Sequence, residues 1–365
     1  ENIAVGLRQV LSDANIEIVP MADGGEGTAE VIGDSLEGSW LKCKAHDPLG
    51  REIEVRYVWI ADCKLAIMEM SEAAGMRRVA GEKVDVDLAT TFGVGEMLLD
   101  GTRRGAREII IGLGGSATND GGVGMARALG FRFFNHEQEH ELTGAVSELT
   151  KLARIARPSP GALRPPLPQG ENRGEGKSSR VAQPWFPRII AAVDVRNPLL
   201  GPNGATRVFG PQKGATPDKI DILERALTRL ADVVAKEFAV DYRNEPGAGA
   251  AGGLGFALMS FCGAKIRPGF DVVAEAVGLA AKLRDVDVVI TGEGSLDRQT
   301  LEGKTPAGVA RLARELGKRV FAIVGRASED RQVCGIFDGV YELGGAIEQA
   351  RGLLRKKAAE LARQL

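Results

Sequence analysis

The chain has 365 residues, 44% of them hydrophobic and 26% charged, with a formal net charge of −2. This is the composition of a soluble globular protein with room for about two domains. The near-neutral charge argues against a nucleic-acid or anionic-membrane surface as the main partner. Forty-eight glycines and few aromatics suit a loop-rich α/β enzyme that handles small polar ligands.

Cys43, Cys63, Cys262 and Cys334 form no C-x-x-C pair and stand in apolar surroundings. Buried free thiols in a reducing compartment, the cytoplasm, are expected. There is no secretory signal and no apolar run of membrane-spanning length. His136 and His140 have i, i+4 spacing, but HEQEH is a charged segment that reads as a solvated hairpin or loop.

In chain order, Ala4 to Leu11 reads as an amphipathic helix and Ile16 to Pro20 alternates as a strand. A parallel α/β domain rarely begins with a helix that no strand precedes, so a strand and its loop are expected ahead of Glu1. Met21 to Thr28, MADGGEGT, is a glycine-rich loop before a helix near Ala29. One of its two acids, Asp23 and Glu26, is accounted for by helix capping. The second acid and the three glycines point to a ligand or metal.

Leu41 to Ala45, Glu52 to Ile60 and Lys64 to Glu69 read as an antiparallel meander that opens a second domain. A helix follows, capped from Thr90-Thr91.

Arg107 to Phe131, REIIIGLGGSATNDGGVGMARALGF, is the stretch around which the chain is organised. The β-branched run Ile109 to Ile111 has the composition of a buried parallel strand. It ends in a loop of five glycines and enters a small-residue helix near Val123. Strand, glycine-rich turn and helix start together present backbone N–H groups to an anion. Gly114 and Gly115 let the backbone come close, and Ser116, Thr118 and Asn119 add side-chain donors. Asp120 would repel a bare phosphate, which points to a phosphate with a metal ion or to a hydroxylated substrate.

Arg157 to Pro187 is dense in proline and glycine and reads as a flexible insertion. Gly176-Lys177-Ser178 and Gly303-Lys304-Thr305 resemble P-loop endings, but Glu171 and Arg298 stand where the first glycine is required. Arg188 to Asp194 is a strand ending on an acid, followed by Asn197-Pro198. Lys213 sits in a Gly/Pro-rigid loop before the helix Asp218 to Phe238, where a point charge can be aimed at phosphate or carboxylate. Gly247 to Gly255 permits close backbone packing or a ligand. Asp287 to Asp297 is a buried strand that delivers Glu293 and Asp297 into a loop. Helix Pro306 to Leu316, strand Val320 to Val324 and a closing strand and helix complete a doubly wound pattern.

Six motifs, MADGGEGT, IGLGGSATNDGGVGMARALG, AAVDVRNPLLGPNGA, VFGPQKGATP, GAGAAGGLGFAL and TGEGSLDRQTLEGKTP, stand in this order. They resemble the bacterial glycerate kinase family of the glycerate 2-kinase type over nearly the whole chain except the insertion. The family begins with a strand and a D-S-F-K-type loop that this chain lacks. The resemblance implies ATP-dependent, Mg²⁺-assisted phosphorylation of D-glycerate, chiefly to 2-phosphoglycerate. It also implies an α/β fold of two domains, a discontinuous Rossmann-like doubly wound domain with a second α/β domain inserted. The limits read here are 1–45 with 285–365 for the first and 46–284 for the second.

Phosphoryl transfer needs a phosphate cradle, Mg²⁺, a cation and a group that takes or orients the hydroxyl proton. The expected assignments are Asp194 as base and Lys213 as cation. Gly114, Gly115, Ser116, Thr118, Asn119, Asp120, Asn197, Glu293 and Asp297 are expected around substrate or nucleotide, and Asp23 and Glu26 around the metal. Two other outcomes compete. Loss of the first strand would impair catalysis, since a central parallel strand is hard to do without. Gly112 to Ala117 also matches the G-x-G-x-x-[GA] pattern of nicotinamide enzymes, but its helix starts late and no acidic strand end follows at ribose-binding distance.

Overall fold

A computed structural model describes residues 1–135, 140–158, 186–298, 300, 304–328, 330–345 and 347–365. His136 and most of the expected insertion, residues 159–185, lie outside these. The chain is α/β and divides into two compact units, Glu1–Asp23 with Phe270–Leu365, and Gly24–Gly269.

The first unit opens with α1 (Asn2–Arg8). The second then runs through α2 (Thr28–Ser35), β1 (Ser39–His46), β2 (Glu52–Ile60), β3 (Leu65–Glu69), α3 (Ser71–Ala74), α4 (Phe92–Arg103) and β4 (Glu108–Gly112). It continues with α5 (Val123–Ala128), β5 (Arg132–Asn135), β6 (Leu152–Ala156), β7 (Arg188–Val193), α6 (Ala205–Phe209), α7 (Pro217–Phe238), α8 (Ala250–Cys262) and β8 (Lys265–Pro268). Six of these strands form one sheet in the order β1-β2-β3-β4-β7-β8. The meander β1-β2-β3 is antiparallel, and β3, β4, β7 and β8 run parallel. Strands β3 and β4 are almost wholly buried, which is why Leu65–Glu69 and Glu108–Gly112 read as continuous apolar runs rather than alternating ones. Helix α7 buries Leu223, Ala226, Leu227, Leu230, Ala231 and Val234, a stripe of helical period.

The first unit resumes with α9 (Gly269–Ala276), α10 (Leu279–Arg284), β9 (Val288–Thr291), α11 (Thr305–Glu315), β10 (Arg319–Val324), α12 (Arg331–Cys334), β11 (Gly339–Glu342) and α13 (Ala350–Ala362). Its three strands are parallel in the order β11-β10-β9. A core of Leu7, Phe321, Ile323, Ala358, Leu361 and Ala362 joins α1, β10 and α13.

The unit boundaries fall elsewhere than at 45/46 and 284/285. Helix α2 packs on β2 and β3, which places residues 24–38 with the large sheet. Phe270 packs against Gly308 of α11, which draws α9 to the three-stranded sheet.

Two local expectations are corrected. Ile16–Pro20 pairs with no strand among the described residues; Glu17, Val19 and Met21 instead line a cavity of about 350 Å³ whose opposite lining includes β9. Cys63 is exposed rather than buried, because it stands in the turn between β2 and β3. No helix among the described residues is long and apolar enough to cross a membrane.

Candidate functional site

Strand β4 carries the glycine-rich loop, and backbone hydrogen bonds hold that loop on several sides. Leu113 N donates to Ala192 O (3.2 Å), Ala117 N to Ala74 O (2.9 Å) and Gly121 N to Gly252 O (3.0 Å). Met76 N in turn donates to Gly115 O (2.8 Å). The glycines serve close approach: a Cβ on Gly114 would stand 2.6 Å from Gly25 Cα, and one on Gly252 only 2.1 Å from Thr118 O. The run GAGAAGG is thus used for backbone packing against the loop.

Asp120 is fully committed inside the protein. Its Oδ2 accepts from Thr91 N (2.9 Å), Thr91 Oγ1 (2.8 Å) and Gly124 N (3.0 Å), and its Oδ1 accepts from Gly122 N (3.0 Å). Thr91 Oγ1 also accepts from Met125 N (2.9 Å). The carboxylate therefore supplies the anion at the start of α5 and ties that helix to the start of α4. Both carboxylate oxygens of Asp120 are thus engaged within the protein, Oδ2 by three donors and Oδ1 by one.

Lys213 is 5% exposed. It closes a single 3₁₀ turn, Pro211–Lys213, after which Gly214 (φ 91°) turns the chain. Its Nζ donates to Ser116 Oγ (2.7 Å) and Thr118 O (2.6 Å). Burial pulls its pKa down to about 7, with the Asp120 charge acting in the opposite direction. Asn119 and Thr118 are fully buried beside it. Asn119 Nδ2 donates to Thr206 Oγ1 on α6 (2.9 Å). Asn119 Oδ1 and Thr118 Oγ1 have no hydrogen-bond partner among the described residues.

The other expected site residues are placed as follows. Asp194 is half-buried immediately after β7. Asn197 Nδ2 donates to Asn203 O (2.8 Å), which fastens its own turn. Glu26 is ion-paired with the exposed Arg77 (3.0 Å). Asp23 ends the first segment of the first unit. In that unit Glu293 Oε1 accepts from the buried Thr300 Oγ1 (2.6 Å), which in turn accepts from Asp297 N (3.1 Å). Ser116, Thr118, Asn119, Asp120 and Lys213 are thus one assembly, and Glu293 with Asp297 another.

Sequence reasoning read Thr91 only as a helix cap, which it is, and missed Glu69 and Thr206. Glu69 is buried at the end of β3 and accepts from Ala29 N (2.9 Å). Burial raises its carboxyl pKa against the opposing pull of backbone donors. With Glu26, Glu72, Trp40, Arg56 and Arg77 it lines a cavity of about 110 Å³. An acid closing an otherwise apolar strand was the available signal for Glu69. Thr206 carried none, since its role depends on a contact 87 residues away.

Similarity to known proteins bears on what this assembly serves. The family model described as "Glycerate kinase family" matches residues 1–166 and 176–365. A glycerate kinase of Halalkalibacterium halodurans is 37% identical over 99% of this chain and 92% of its own length. A glycerate 2-kinase of Escherichia coli K12 is 38% identical over 96% of this chain and 88% of its own. A crystal structure assigned as glycerate kinase 2, from Salmonella typhimurium LT2, superposes with a TM-score of 0.81 at 37% identity, covering 100% of this chain and 92% of that one. The chain belongs to the glycerate kinase family.

Proposed function

We propose that this chain transfers the γ-phosphoryl group of ATP to a hydroxyl of D-glycerate, giving chiefly 2-phosphoglycerate. Family membership supports the reaction class, and one observation carries the site. Lys213 is buried against Ser116 and Thr118 in a loop whose hydrogen-bonding capacity is only partly used. A cation held this way can receive an anionic substrate without first being stripped of water at the moment of reaction.

The residues divide the work. Lys213 neutralises negative charge on the bound acid or on the transferring group. Asp194, after the carboxyl end of β7, takes the proton of the attacking hydroxyl. The hydroxyl oxygen then bonds to the γ-phosphorus while the bond to the ADP oxygen breaks. Mg²⁺ accompanies ATP in this reading and would supply charge neutralisation for the transferring phosphoryl group. Asp23 and Glu26 carry the kind of oxygen donor that such an ion would take. A reducing cytoplasm suits the four free cysteines.

The test is ADP release by the purified chain with ATP, Mg²⁺ and D-glycerate, with the product identified by NMR. Glycerate-dependent turnover is expected. No turnover in any metal condition overturns the proposal. Asp194→Asn should lower kcat about 100-fold or more, and a kcat within a few-fold of the parent removes Asp194 as the base.

A further inference from the structure

The Thr118–Asn119 turn raises a question of ligand chemistry. Asn119 is fully buried, spends its Nδ2 on Thr206 Oγ1 (2.9 Å), and leaves its carbonyl oxygen without a partner among the described residues. Thr118, equally buried, leaves its hydroxyl without one. Buried polar atoms are almost always hydrogen-bonded, so two unmet ones on adjacent residues stand out in a loop that is otherwise well bonded. The Lys213 ammonium, which bonds the Thr118 carbonyl, has three N–H donors and uses two within the protein.

These groups differ in kind. The Asn119 carbonyl oxygen only accepts, so its natural partner is a hydroxyl or amine. The phosphate oxygens of a nucleotide at neutral pH are acceptors as well, and facing them with a carbonyl oxygen is unfavourable. A carboxylate suits the Lys213 ammonium and the Thr118 hydroxyl, and a neighbouring alcohol suits the Asn119 carbonyl. The set is complementary to a small hydroxy acid.

We infer that the Thr118–Asn119 turn is the hydroxy-acid subsite rather than the nucleotide subsite, and that Thr206 is its positioning residue, holding the Asn119 amide so that its carbonyl oxygen meets a substrate hydroxyl. The inference rests on the glycerate kinase reading and deepens it. Thr206 touches no substrate. It acts by fixing one side-chain rotation, since without its oxygen the amide has no bond to hold it.

Thr206→Val keeps the shape and removes the hydroxyl. KM for D-glycerate should rise about tenfold or more, KM for ATP should stay within about twofold, and Thr206→Ser should restore the parent value. A rise in KM for ATP with that for glycerate unchanged would show that the turn serves the nucleotide. No change in either would show that Thr206 orients nothing, and both results overturn the inference. Should Thr206→Val fail to fold, Asn119→Asp decides, because a carboxylate there repels the acid. Titration calorimetry with D-glycerate and, separately, ADP reads binding without turnover. Asn119→Asp should lose glycerate affinity and keep that for ADP, and unchanged glycerate affinity overturns the inference. If the parent chain binds glycerate, loses it on Thr206→Val, and yet transfers no phosphate, the subsite stands and the kinase reading alone fails.

Discussion

The Thr91 hydroxyl stands 2.8 Å from Asp120 Oδ2 and at the same time accepts the Met125 N–H at 2.9 Å. One side chain thus relays between a buried carboxylate and the first turn of α5. Asp120→Ala strands three backbone donors, those of Thr91, Gly122 and Gly124. It should cost about 3–5 kcal/mol in urea unfolding, in the range seen when buried charged hydrogen-bond partners are removed. Thr91→Val should cost about 1–2 kcal/mol, because it leaves the Met125 N–H unpaired. An Asp120→Ala stability close to the parent's would show that these bonds do not hold the two helix starts together.

Lys213 makes stability depend on pH in an unusual direction. Its folded pKa of about 7 lies below the ordinary 10.5. Between these values the unfolded chain holds the proton and the folded one does not, so stability rises as pH climbs from about 7 towards 10.5 and is lowest below 7. Lys213→Met, of similar shape and uncharged, should raise Tm at pH 6, raise it little at pH 10, and abolish glycerate-dependent turnover. A Tm gain independent of pH would place the lysine's cost in packing instead.

Substrate binding should share that proton. An anion beside Lys213 favours the charged form, so glycerate binding above pH 7 should take up a proton and weaken as pH rises. Calorimetry in two buffers of different ionisation enthalpy measures the uptake directly, and identical heats would exclude Lys213 from contact with the acid.

Ala251 is left-handed (φ 52°, ψ 41°), and so are Gly252 and Gly253 after it. Only the glycines tolerate this without strain. Ala251→Gly should stabilise the chain by about 0.5–1 kcal/mol. Gly252→Ala should do the reverse by about 2 kcal/mol or more, since its Cβ would stand 2.1 Å from Thr118 O. It should also raise KM for glycerate by shifting Thr118.

Glu69 carries a raised carboxyl pKa because it is buried at the end of β3. Glu69→Gln keeps an acceptor for Ala29 N and removes the charge, so Tm at pH 8 should equal or exceed the parent's. A large loss would mean that the ionised form is required.

Local signals were enough for the α/β class, the meander over β1–β3, the runs of β4 and β7 and the long amphipathic α7. Each is a matter of period, apolar run length or turn residues within a few positions. Six ordered motifs likewise marked the family. Ile16–Pro20 had the alternation of a strand, but pairing requires a partner edge, and period alone names none.

Within the organising loop, residue type told which positions are chemically unusual and not what each one does. Asp120 and Asn119 are neighbours, both fully polar and both buried. One is consumed by four hydrogen bonds from Thr91, Gly122 and Gly124, and the other keeps an acceptor in reserve because Thr206 takes its amide. Thr91 and Thr206 are distant in sequence and meet the loop only through the packing of α4 and α6. The sequence by itself determined the class, the family and the loop. Tertiary structure decided which of the loop's polar groups are already satisfied, because a hydrogen bond is a property of two groups and one of each pair came from elsewhere in the chain.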